Sequence, residues 1–319
     1  MRVWNWQGDS SVLKVPEWAP FLEAADYRAF IAAVGVDLHR RGDKVEINHG
    51  VARLVLEDGS EHRFGLQNLA QICSQAEAGD WPEVIKGHFD GVIRSSASAD
   101  LESLAEDWDR ARAMIKVRLY PHDAVADTLP GLAYREAAEG LLAVLTYDLP
   151  DAVATVPRTD VRKWPLSFDE AFELGLDNVM AQDPVHDQEV ELESGGCFTA
   201  MIGDSFFVTS RMLTLDRTLD GGEFGALVAV PNRHTMLVSP IVDLTAMEVL
   251  NAMLVVAHHR HEEGPGPLSP HLFWCRDGVS PMTLRATVDG DDLSFTAPEE
   301  FVDTCLQHLP RPRGGYGPN

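Results

Sequence analysis

Residues 141–147, Leu-Leu-Ala-Val-Leu-Thr-Tyr, form an apolar run of strand length. A strand with one wet face alternates apolar and polar side chains, so a run like this fits a strand covered on both faces. Such a strand needs an interior sheet and further elements laid over it. The rest of the chain supplies helices and strands in mixed order. The expected fold class is therefore α+β, with mixed or antiparallel sheets packed with helices. A length of 319 residues, at roughly 100–200 per domain, allows two or three subdomains.

Spacing and punctuation place the other elements. A helix is expected from Pro16 onward, with Phe21, Leu22, Phe30, Ile31 and Val34 on its apolar side. Strands follow at 44–48, 51–57 and 62–66, the second closed by Asp58-Gly59, and then helices at 68–78 and 82–93. The small polar run Ser95-Ser96-Ala97-Ser98-Ala99-Asp100 has little to bury and is expected to be a loop. It sets the first boundary, giving a helix–strand–helix unit at 1–97, a central α/β unit at 98–183 and an α+β unit at 184–309. Residues 310–319, rich in Pro and Gly, are expected to be a flexible tail.

Within the central unit, a helix at 101–114 leads into a strand at 115–120. Ser167 and Glu170 form a capping box, opening a helix with Phe168, Ala171, Phe172 and Val179 facing the core. Asp183-Pro184 ends it. The C-terminal unit offers strands at 198–202, 226–230 and 235–241, the last two joined across Pro231–His234. Asp243 is placed to cap a buried helix running to about residue 259. A meander at 271–276, 282–288 and 293–295, with a hairpin signal at Asp289-Gly290, and a helix at 298–309 complete it.

Charge excludes some functions. Twenty-six Lys and Arg stand against 50 Asp and Glu, a formal charge of −24, with no run of basic residues. Nucleic-acid binding draws on Lys and Arg that release condensed counterions, and anionic membranes ask for the same. Neither partner is expected. Acidity serves solubility first, and it also suits a basic protein partner. The segment Val3-Trp4-Asn5-Trp6-Gln7-Gly8-Asp9 shows no signal peptide, and the apolar stretch 247–257 is too short to span a bilayer, which takes ~20 residues. Cys73, Cys197, Cys275 and Cys305 are scattered, so four free thiols and a cytoplasmic location are expected.

Residues 146–179 (TYDLPDAVATVPRTDVRKWPLSFDEAFELGLDNV) run from a strand, through an aspartate with a nearby proline and a short excursion, to a helix ending in Asn. Together with FGLQNLAQI at 64–72 and ALVAVPNRHTMLVSPI at 226–241, they resemble, in order, pieces of the YtpQ-like family of bacterial domains of unknown function. The resemblance spans roughly residues 40–245 and leaves out the Trp-rich opening and everything after about 262. It implies a fold but no reaction, and so supplies no catalytic residues.

Local motifs remain. Gly203-Asp204-Ser205 follows a strand, as the nucleophile of a GDS-type esterase does. A serine hydroxyl needs a base, and the one D-x-x-H match, Asp183-Pro184-Val185-His186, precedes it. A capping turn is the alternative. His258, His259 and His261 with Glu262 and Glu263 are the densest ligand-type cluster, yet no H-E-x-x-H is present. Asp289, Asp291 and Asp292 lack the order of a calcium loop. Trp4 and Trp6 would suit docking to a partner, and the remaining tryptophans suit packing. No phosphate-binding glycine loop and no G-x-S-x-G elbow occurs.

The most suggestive turn is Pro231-Asn232-Arg233-His234. Strands on both sides would fix its position, Arg233 suits a carboxylate or phosphate, and Asn232 and His234 add donors. The leading expectation is a cytosolic, non-catalytic, protein-binding or immunity-like protein with no cofactor and no metal. Its alternative is an enzyme, a hydrolase for instance, with a site near Asn232, Arg233 and His234.

Overall fold

The apolar run proves to be the hub of a sheet. In the computed structural model it is the nine-residue strand Leu141–Leu149, bordered by other strands on both edges. The structure describes residues 15–16, 18–42, 44–56, 61–98, 101–126, 128–150, 152–193, 195–218, 223–289 and 292–311. Trp4, Trp6 and the tail beyond residue 311 lie outside them, as do Gly290 and Asp291. The chain divides into two compact units, Met1–Ile93 and Arg94–Asn319.

In the first unit α1 (Ala24–Arg41) precedes an antiparallel meander of β1 (Lys44–Asn48), β2 (Val51–Val55) and β3 (Glu61–Gly65), then α2 (Gln67–Ser74) and α3 (Trp81–Ser98). Phe30, Val34 and Leu38, four apart on α1, bury against Ala52 and Leu54, which alternate on β2. Two expectations are corrected here. The first helix begins at Ala24, because Trp18 to Leu22 is occupied by turns. Ser95 to Ser98 continue α3, since Ser and Ala are tolerated in helices and polarity alone does not end one.

The second unit opens with α4 (Leu101–Glu106) and α5 (Trp108–Met114) in place of one helix. Asp107 separates them, its carboxylate accepting from the Arg110 amide at 3.2 Å as a new N-cap. Then come β4 (Ile115–Pro121), α6 (His122–Val125), β5 (Tyr134–Ala138), β6 (Leu141–Leu149), β7 (Ala152–Thr155), α7 (Arg158–Val161) and α8 (Phe168–Gln182). β6 pairs with β4 along one edge and with β5 and β7 along the other, all antiparallel. The capping box opens α8 as expected, with Glu170 accepting from the Ser167 amide at 2.8 Å.

The chain continues through β8 (His186–Glu191), β9 (Cys197–Ile202), a 3-10 turn at Val208–Thr214, α9 (Leu215–Thr218), β10 (Ala226–Asn232) and β11 (Thr235–Pro240). It closes with α10 (Ala246–Glu263), β12 (Leu272–Arg276), β13 (Val279–Asp289), β14 (Asp292–Thr296) and α11 (Glu299–Thr304). Seven strands form one antiparallel sheet in the order β14-β13-β12-β10-β11-β9-β8. All three sheets are antiparallel, and the fold is α+β.

Period-two alternation explains how this sheet is covered. Val228, Val230, Met236, Val238 and Phe273 point into a core shared with Val117, Leu145 and Tyr147 of the four-stranded sheet and with Phe172 and Leu176 of α8. Leu227, Ala229, Leu237, Leu272 and Trp274 point the other way, against Leu250 and Leu254 of α10 and Phe301 of α11. The stretches 98–183 and 184–309 thus meet in one core. Among the described residues no helix is long and apolar enough to cross a membrane. All four cysteines are free.

Candidate functional site

Strand β4 alternates Ile115-Lys116-Val117-Arg118-Leu119-Tyr120. Its odd-numbered residues enter the core, so Lys116, Arg118 and Tyr120 share the opposite face. Lys116 has a side chain only 4% exposed, and its Nζ lies 2.6 Å from Asp148 Oδ2 and 2.8 Å from Asp183 Oδ2. Burial pulls its pKa down, but the two carboxylates outweigh that and hold it above the usual lysine value. The ammonium also sits 4.9 Å from the centre of the Phe207 ring.

Asp183 joins this network to the Gly203-Asp204-Ser205 loop. The Ser205 hydroxyl donates to Asp183 Oδ1 at 2.5 Å and accepts from the Phe207 amide at 3.1 Å. The D-x-x-H aspartate therefore does reach the serine, although it precedes it in the chain. His186 sits on the solvent-exposed strand β8. The partner of the hydroxyl is thus a carboxylate that also pairs with Lys116, and among the described residues no imidazole contacts the serine.

Beside this loop stands the β10–β11 turn. His234 Nδ1 lies 3.1 Å from the Gly203 carbonyl, and the Gly203 amide donates to the His234 carbonyl at 3.2 Å. Two stretches singled out in the sequence are thus side by side. The members of the turn divide into builders and presenters. Asn232 is 3% exposed; its Nδ2 donates to the Arg260 carbonyl at 2.9 Å and its Oδ1 accepts from the His234 amide at 3.0 Å. Gly264 backs so closely onto the Asn232 side-chain amide that a Cβ would collide with it. Asn232 therefore shapes the turn.

Arg233 is held at three points. Its Nε donates to His234 Nε2 at 2.9 Å, its guanidinium carbon lies 4.4 Å from the Phe206 ring centre, and its stem rests on Gly266. Gly266 has φ +73°, and a Cβ there would meet Arg233 Cδ at 2.7 Å. The Arg233 contact makes His234 Nε2 an acceptor, so Nδ1 carries the proton and the ring is neutral. Burial first, then the Arg233 charge, hold the His234 pKa below its usual value.

Arg118 approaches the same ring. Its guanidinium carbon lies 5.5 Å from the Phe206 centre and 4.6 Å from that of Tyr120. Tyr120, Arg118, Phe206 and Arg233 form an alternating stack of rings and cations. Burial, and then the Arg118 charge, pull the Arg233 pKa down to about 10, with Tyr120 opposing. Among the described residues neither guanidinium has a carboxylate partner, and Arg118 Nε is shielded from solvent without a hydrogen bond. The guanidiniums of Arg135, Arg217, Arg276 and Arg285, by contrast, each reach an acid.

The other ligand-type clusters lie apart. His258, His259 and His261 occupy the last turns of α10, where His258 Nε2 is 3.4 Å from Glu262 Oε1. Among the described residues no three His, Cys, Asp or Glu are placed to hold a metal ion. A cavity of about 650 Å³, lined in part by Glu136, Met212, Asp216, Glu223, Cys275 and Asp277, has none of Asn232, Arg233 and His234 in its wall. Arg118, Tyr120 and Phe206 were not singled out in the sequence. The alternation on β4 is a signal for Arg118 and Tyr120 as two residues of one strand face, but not for Phe206, which lies in the loop after β9.

Comparison with protein-family models, curated proteins and solved structures found no match.

Proposed function

We propose that this chain is a non-catalytic binding protein that recognises an anionic group of its partner, carboxylate or phosphate, through Arg118 and Arg233. One observation carries the reading: two guanidiniums share one phenylalanine ring without a carboxylate between them, in a chain of net charge −24. A chain so rich in acids has carboxylates to spare for its cations, and leaving two adjacent guanidiniums unneutralised concentrates positive potential where an anion is to be held. Arg233 is also pre-organised. Phe206, His234 and Gly266 restrain its stem and Nε, so little rotamer freedom is left to lose on binding. Its Nη1 and Nη2 have the fork geometry that pairs with two oxygens.

Thermal shift of the full chain with acetate, phosphate and sulfate, at fixed ionic strength, tests the reading. A rise in Tm that Arg118→Gln with Arg233→Gln removes supports it, and equal shifts in both proteins refute it. Specific turnover of an ester or phosphate substrate, lost on Ser205→Ala or Arg233→Ala, would overturn the non-catalytic half.

A further inference from the structure

We infer that the group taken up between Arg118 and Arg233 is a dianionic oxyanion of the phosphate monoester class, in preference to a carboxylate. This rests on the anion-binding reading above and specifies its ligand. The first support is charge balance. Two permanent cations lie against one ring, at 4.4 and 5.5 Å from its centre. A single carboxylate neutralises one of them and leaves the other uncompensated, whereas a phosphoryl dianion matches both.

The second support is the polarity of what is on offer. A guanidinium carries donors and no acceptor, and among the described residues neither Arg118 nor Arg233 has a carboxylate partner. The one acceptor on the His234 ring, Nε2, is occupied by Arg233 Nε, and its other nitrogen donates to the Gly203 carbonyl. Apart from the exposed Asp204 carboxylate, whose charge reaches His234, the charged side chains here present donors. That suits a group made only of acceptor oxygens and disfavours hydroxyl-rich or amide ligands, which also bring donors needing partners. The third support is the setting: the Tyr120 and Phe206 rings, centred 4.6 and 5.5 Å from the Arg118 guanidinium carbon, restrain it beside Arg233.

The test is isothermal titration of the full chain with four ligands at equal ionic strength: sulfate, inorganic phosphate, N-acetyl-phosphoserine amide and acetate. At pH 7.5 the three oxyanions are expected to bind at least about tenfold more tightly than acetate. Phosphoserine has a second pKa near 6, so its affinity should fall about fourfold by pH 5.5 relative to that of sulfate, which stays dianionic. Sulfate also controls for any change in His234 over that range. Phosphoserine binding more tightly than inorganic phosphate would assign the source to a phosphorylated side chain, and the reverse order to free phosphate. Arg118→Gln should bring the oxyanion-to-acetate ratio close to one. Arg118→Lys, which keeps the charge, should retain most of it and guards against a variant that merely misfolds. Acetate binding as tightly as sulfate overturns the dianion inference alone. Failure of all four ligands to bind overturns the anion-binding reading itself.

Discussion

Lys116→Met tests how far the charged network beneath the site depends on one buried ammonium. Methionine keeps the length and apolar stem but leaves Asp148 and Asp183 without their cation. Their side chains are 34% and 9% exposed, so the two losses differ. Asp148 is wet enough that its share is small, as for surface pairs worth about 0–1 kcal/mol. Asp183 is left as a buried carboxylate whose remaining side-chain support is the Ser205 hydroxyl at 2.5 Å. Removing one partner of a buried pair costs ~3–5 kcal/mol, and the retained hydroxyl places this case near 3 kcal/mol. For a unit of this size that lowers Tm by roughly 6–12 °C. Urea unfolding followed by circular dichroism should show a lower midpoint at unchanged m-value. Adding Asp183→Asn removes the stranded charge while its amide oxygen still accepts from Ser205, so the double variant should recover at least about 1 kcal/mol. A single variant within about 0.5 kcal/mol of wild type, the usual range of surface changes, would refute the reasoning. So would a double variant less stable than the single one.

Other outcomes follow from the same geometry. His234, His261 and His271 all have pKa values held below the usual 6.5, chiefly by burial. The folded chain binds fewer protons than the unfolded one there, so this stability is present above pH 6.5 and is lost as pH falls through the folded values. Calorimetry should show Tm falling from pH 7.5 to 5.5, more shallowly in His234→Gln; an equal slope would refute the assignment to His234. Gly266→Ala, at φ +73° and with its Cβ 2.7 Å from Arg233 Cδ, should cost ~1–3 kcal/mol and weaken oxyanion binding, read by urea unfolding and titration. Asn232→Ala should cost ~1–3 kcal/mol by stranding the His234 amide and leaving the Arg260 carbonyl with the Gly264 amide alone, and unchanged stability would remove its role as turn-builder. Cys197 is the one cysteine exposed, while burial pushes the thiols of Cys73 and Cys305 up to about 11 and that of Cys275 up to about 12. Iodoacetamide followed by peptide mapping should label Cys197 first.

What could be read from the residues, and what could not, divides along physical lines. Strands β6, β10 and β11 stood out because two-sided burial leaves a continuous apolar record. The capping box marked α8 because its two hydrogen bonds demand particular residues at fixed spacing. Strand β8, His186–Glu191, was missed because it lies at a sheet edge and is almost wholly exposed, so no alternation records its faces. Its acids Asp187, Glu189 and Glu191 discourage another chain from pairing there. The polar run ending at Ser98 misled for the converse reason: composition reports what a segment can bury, and small polar residues can continue a helix as well as form a loop.

The site was half legible. Arg233 and His234 were found because two strands point at the turn between them. Arg118 and Phe206 come from a strand and a loop far from it in sequence, and a stack of rings and cations has no spacing rule that a chain could display. Ser205 and Asp183 show the reverse case. Their order argued against a catalytic pair, and the fold joins them anyway, through a hydrogen bond that also ties the serine to the Phe207 amide.

The central claim is that two guanidiniums sharing the Phe206 ring hold an anion. Titration of sulfate into the full chain in a low-chloride buffer measures this directly. The account predicts one saturable site per chain, abolished by Arg118→Gln with Arg233→Gln and retained when both are lysine. No saturable site, or one that survives the glutamine pair unchanged, would contradict it.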